Sequence, residues 1–121
     1  LLHDLQVTDN WISVVRLLHD QLGLSQAEIA RGAGVSQMTV SRWLDSPEDA
    51  DVRAWGRLDD LRYVTMFLVG YCSMRLRLAR FWLSAKNLDL GTDPLSAIAS
   101  GCYEQVVETA RAFANGRIPI A

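Results

Sequence analysis

Between positions 36 and 42 the sequence gathers Ser36, Gln37, Thr39, Ser41 and Arg42. Four of these side chains both donate and accept hydrogen bonds, and the fifth is a permanent cation. Groups of this kind read the polar edges of another molecule rather than break its bonds. Met38 interrupts them with one long apolar side chain. Residue types suited to covalent chemistry are sparse. His3 and His19 lie near the N-terminus, and the sequence places no nucleophile beside either. Cys72 falls in an apolar stretch and Cys102 at a helix start, where each serves as a small hydrophobe. Two cysteines make neither a disulfide framework nor a metal cluster. Asp59-Asp60 and the acids from Asp45 to Asp51 read as a solvated face and a linker, not as paired catalytic carboxylates. No glycine-rich phosphate loop is present. The expectation is a chain with no catalytic residue, no metal and no cofactor.

The polar run needs a frame, and the flanking residues supply one. Trp11, Val15, Leu18 and Leu22 recur on one face of an amphipathic helix, which Gly23 closes. Ser25-Gln26-Ala27-Glu28 has the form of a capping box and opens a second helix to about Arg31. Gly32-Ala33-Gly34 stops it, and Ser36 caps a third helix through Leu44. Ala30 is small where two such helices would cross. Gly34, four places later, tolerates the positive φ of a tight turn. Ile29, Val35, Val40 and Trp43 are apolar at the offsets that hold the pair at its angle. This pattern is that of a helix-turn-helix, with the polar face turned to a DNA major groove. A tight helical corner inside a bundle is the alternative.

The whole chain has 121 residues, 50% of them hydrophobic and 21% charged, enough for one compact domain or two small units sharing a core. Twelve Lys and Arg against fourteen Asp and Glu leave a net charge of −2, which excludes a basic protein that coats nucleic acid. Locally, residues 25–44 carry +1, residues 45–60 carry −4 and residues 61–90 carry +4. One helix-turn-helix with so little charge binds DNA weakly, so two or more copies are expected on a repeated site. Asp45 to Asp51 reads as a linker dividing the chain into units 1–50 and 51–121. Beyond it a long apolar helix is predicted from about Leu58, through Leu61, Val64, Phe67, Leu68 and Tyr71, continuing as a basic stretch from Arg75 to Trp82. Arg75, Arg77, Arg80 and Lys86 form the basic cluster, read first as a solvated face, with phosphate contacts or a charged rim as alternatives. Asn87 to Gly91 is a loop, Asp93-Pro94 starts a short helix and Gly101 ends it. A last helix spans about Cys102 to Ala114, with Val106, Val107, Ala110 and Phe113 inward. The predicted class is all-α. No apolar stretch is long enough to cross a bilayer. The start lacks a basic segment leading into an apolar run, and the absent initiator Met points to a trimmed start. A soluble cytoplasmic protein is expected.

The stretch Leu24 to Leu44 resembles the DNA-binding motif of the phage-repressor-like (Xre) family. That resemblance implies Gln26 and Ser36 near phosphates, and Gln37, Met38, Ser41 and Arg42 near base edges. Met38 would make apolar contact there, for instance with a thymine methyl. Further on, Trp82-Leu83, Asn87, Leu90, Pro94-Leu95, Gly101 and Val106 occur in an order similar to the toxin-binding domain of the Xre/MbcA/ParS antitoxins. Together the two resemblances span roughly residues 12 to 115. They imply an antitoxin that neutralises a RES-domain toxin consuming NAD⁺ or transferring ADP-ribose, and that binds operator DNA as a dimer or as a larger assembly with the toxin. They also imply that the C-terminal end blocks the toxin's active site, through Phe113, Arg117, Ile118, Pro119 and Ile120. Packing of this tail on its own subunit, or a frayed end, is the alternative, and a stand-alone helix-turn-helix repressor with a C-terminal dimerisation domain is the alternative for the whole chain.

Overall fold

A computed structural model of the chain describes residues 14–45 and 52–116. Every regular element among them is helical, beside one isolated bridge between Asn87 and Thr92. A π-helical turn, Leu17–Gln21, precedes α1 (Gln26–Ala33), α2 (Gln37–Asp45), α3 (Val52–Gly70), α4 (Leu76–Ser84), α5 (Pro94–Ala99) and α6 (Tyr103–Gly116). The fold is all-α, as the periodicity predicts. Trp11, the stretch 46–51 and the tail residues Arg117, Ile118, Pro119 and Ile120 lie outside the described residues.

Local chemistry sets most of the helix ends. Gly23 takes φ +73 after the π turn, and the Leu24 amide donates to the Leu18 carbonyl at 2.9 Å. The His19 ring closes the same turn, its Nδ1 donating to the Leu24 carbonyl at 3.1 Å, which makes this histidine a helix-end residue. At α5 the Asp93 side chain accepts from the Ser96 amide, and Pro94 occupies a first-turn position where its missing N–H costs nothing.

The predicted single run from Leu58 to Trp82 is two helices. α3 begins earlier, at Val52, because Ala54 extends the buried stripe of Leu58, Leu61 and Leu68. It ends at Gly70, and the chain turns before α4. The Met74 amide donates to the Leu68 carbonyl at 3.0 Å, the same closure as at Leu24, but the left-handed position is held by Ser73 at φ 56. A serine in that role carries no glycine signal. Two other ends differ as well. α1 passes through Gly32 to Ala33, and α6 runs through Asn115 to Gly116. Phe113 is not inward: it is 44% exposed, and Ala114, one turn on from buried Ala110, fills the inward place.

One buried cluster runs through the described chain, joining Leu18, Ile29, Val40 and Trp43 to Leu61, Leu83, Leu95, Ile98 and Val106. α1 packs on α2, α3 and α5, so the helices after residue 52 form the bed on which the turn of α1 and α2 rests. Gly32 marks the tightest approach. A Cβ there would lie 2.9 Å from Leu61 Cδ2.

Candidate nucleic-acid interface

The Ser25 Oγ accepts from the Glu28 amide at 3.0 Å while Glu28 Oε1 accepts from the Ser25 amide at 2.8 Å, so the capping box is complete. Gly34 ends α1 in the left-handed region at φ 76, and the Val35 amide donates to the Ala30 carbonyl at 3.0 Å. A larger residue at 34 would strain this backbone, which is why the turn needs glycine. Ser36 then starts α2, its Oγ accepting from the Thr39 amide at 3.1 Å and lying 2.9 Å from Thr39 Oγ1.

In α2, Val40 and Trp43 enter the core while Gln37, Met38 and Arg42 are exposed and Ser41 is half-buried. Positions 37, 38, 41 and 42 share one helical face, since residues three and four apart stack on the same side. Met38 stands 74% exposed on that face, an unusual place for a thioether that has nothing of its own to pack on. Gln26 is the first residue of α1 and half-buried. The structure therefore brings Gln37, Met38, Ser41 and Arg42 onto one outward surface, with Ser36 at its start.

The electrostatics around this surface were not visible in the sequence. Arg31 reaches Asp93 at 3.0 Å. Burial pushes the Asp93 carboxyl up, yet the Ser96 hydroxyl and amide and the Arg31 guanidinium outweigh it and hold the group below the ordinary 3.8. Glu28 does more than cap: Arg80 Nε donates to its Oε1 at 3.0 Å, and Ser84 Oγ to its Oε2 at 3.4 Å. Arg80 is thus not part of a merely solvated face. These partners are separated by more than fifty residues, and no local pattern signals them. Glu28→Ala should lower the unfolding free energy by about 1.5 kcal/mol, and Glu28→Gln, which keeps an acceptor for the Ser25 amide, by about half that. Urea unfolding at pH 7 checks both.

Acid gathers on the α3–α6 side. Burial raises the Asp60 carboxyl against the lowering effect of Arg57, and Asp59 and Glu104 raise it further. Glu104 likewise raises the Tyr103 phenol. Two open clefts of about 440 Å³ flank Glu104 and Glu108, and no lining residue of either comes from α1 or α2. Among the described residues no group of His, Cys, Asp and Glu is placed to hold a metal ion, and no helix is long and apolar enough to cross a membrane.

Compared with known families, residues 15–44 match the helix-turn-helix family model, a quarter of the chain. No curated protein and no solved structure matches. The matched segment is an Xre-like helix-turn-helix domain, a binding module that supports DNA binding and transcription regulation.

Proposed function

We propose that α2 is the recognition helix of an operator-binding regulator, with units 1–50 and 51–121 dividing DNA reading from partner binding. The observation that carries this reading is the outward surface of Gln37, Met38, Ser41 and Arg42, held by the Gly34 turn with Val40 and Trp43 inside. Gln37, Ser41 and Arg42 would hydrogen-bond base edges, Met38 would meet a thymine methyl, and Gln26 and Ser36 would lie on phosphates. Two copies on a repeated site would offset the small charge of one unit.

The finer proposal is that the chain is a cytoplasmic antitoxin for a RES-type toxin that consumes NAD⁺ or transfers ADP-ribose, and that it represses its own operon. Support comes from the resemblance of residues 82–106 and from Phe113, which the fold leaves at its surface just before the apolar tail. Ile118, Pro119 and Ile120 would fill the toxin's active-site cleft, with Arg117 pairing an anionic group there.

Selection of bound duplexes from a random pool tests the DNA reading. Gln37→Ala should relax the preference at a defined base step and weaken the selected site about tenfold. An unchanged preference for this variant and for Ser41→Ala would remove α2 as the reader. NAD⁺ consumption by the co-expressed toxin tests the finer reading. The full chain should suppress it, and a chain lacking residues 117–121 should bind the same DNA yet fail to suppress. Equal behaviour of both chains would leave a stand-alone repressor.

A further inference from the structure

We infer that Arg77, Arg80 and Lys86 on and beside α4 form a second phosphate-binding ridge next to the helix-turn-helix, a claim that rests on the DNA reading above. The position follows from two contacts. Arg80 and Ser84, one turn apart on α4, both bond the carboxylate of Glu28 in the first turn of α1. That turn also carries Gln26, which the DNA reading sets against the sugar–phosphate backbone. α4 therefore flanks the strand-facing end of α1.

Two of the three cations of the ridge, Arg77 and Lys86, have charge to spare, and Arg80 anchors them to α1. Arg77 lies one turn before Arg80 on the same face of α4. Lys86 follows Ser84 by two residues. Both are exposed, and among the described residues neither forms an ion pair. Arg80 engages Glu28 through Nε and its side chain remains 41% exposed, so its terminal amino groups are not used in that bond. An arginine fixed at Nε in this way is pre-organised to place those two donors on a phosphate.

The helix-turn-helix needs this help. Its own segment, residues 25–44, holds Arg31 and Arg42 against Glu28, and Arg31 is committed to Asp93. On the α3–α6 side the arginines are already engaged, Arg57 with Asp60 and Arg62 with Asp59, and Glu104 adds a further acid. A duplex seated on α2 would thus find its unpaired cations beside α4, not on the α3–α6 side. Each phosphate that a cation neutralises contributes about 0.9 to the slope of log affinity against log salt, or roughly eightfold in affinity near 0.1 M.

Fluorescence anisotropy with a labelled mixed-sequence duplex of about 30 base pairs, titrated from about 20 to 150 mM KCl, tests the ridge. A mixed sequence is the right probe because phosphate contacts are blind to base identity. The full chain is compared with Arg77→Gln/Lys86→Gln and with Arg62→Gln/Arg111→Gln, which removes the same net charge elsewhere. The ridge variant should lose close to 2 in slope and on the order of fiftyfold in affinity at 0.1 M, and the control less than threefold. Matching circular dichroism and melting curves establish that both variants fold. An unchanged slope in the ridge variant overturns the inference and leaves these cations for an acidic protein surface. Equal losses in the two variants overturn it too, as a net-charge effect. If the unaltered, folded chain fails to bind the duplex at the lowest salt, the DNA reading itself falls, and the ridge with it.

Discussion

Leu61→Ala should lower the unfolding free energy by about 3 kcal/mol, the typical cost of emptying a fully buried leucine site. Leu61 is 0% exposed and sits where α3 meets α1. The interest lies in its partner. A Cβ on Gly32 would come within 2.9 Å of Leu61 Cδ2 and 3.3 Å of both Leu61 Cδ1 and Leu95 Cδ2. Gly32→Ala in the intact protein gains about 1 kcal/mol of helix propensity but crowds two fully buried leucines, Leu61 and Leu95, for a net loss of about 1 kcal/mol. In the Leu61→Ala background the two contacts with Leu61 are gone, only Leu95 Cδ2 at 3.3 Å remains, and the new methyl fills part of the cavity. The same change should then stabilise by about 1 kcal/mol. A double-mutant cycle by urea unfolding should read a coupling of about 2 kcal/mol. Additive effects would show that α1 and α3 stand farther apart than their contact at Gly32 requires.

Asp93→Ala should cost about 2 kcal/mol at pH 7. Asp93 is 8% exposed and accepts from the Ser96 amide at 2.9 Å and the Ser96 hydroxyl at 2.8 Å, with Arg31 at 3.0 Å. Removing it uncaps α5 and leaves Arg31 without its acid. The pH dependence has a definite sign. A carboxylate held below its ordinary value contributes stability that is present above 3.8 and fades as pH falls through the lower folded value. The stability gap between the unaltered protein and Asp93→Asn should therefore be widest near neutrality and close below about pH 3.8. A gap that widens on acidification would mean that Asp93 is protonated in the folded state.

The parts of the fold that could be read in the sequence are those governed by neighbours in sequence. The capping box at Ser25, the glycine turn at Gly34 and the Asp93-Pro94 start each involve residues within four positions, and all three stand as expected. The break between α3 and α4 was hidden because Ser73, not glycine, takes the left-handed position. Gly32 looked like a stop because its value lies in what it lets approach, and Leu61 is far away along the chain. Residue type predicts Phe113 inward, although Ala114 falls closer to the buried stripe. At the candidate interface the outward surface of α2 was legible from period and polarity. Its electrostatic surroundings were not, because Arg31–Asp93 and Glu28–Arg80 are tertiary pairs.

Glu28 also bears on when the protein becomes competent during synthesis. The carboxylate that caps α1 is held by Arg80 and Ser84, and α1 rests on α5, which ends at Ala99. A ribosome that has released α2 but not yet α5 has made the helix-turn-helix but not the bed that fixes its angle. Domains settle as units once their last packing partner emerges. A chain terminated before α5 would therefore carry the outward face of α2 without the means to hold it in place, and any binding through that face would track chains that include α5.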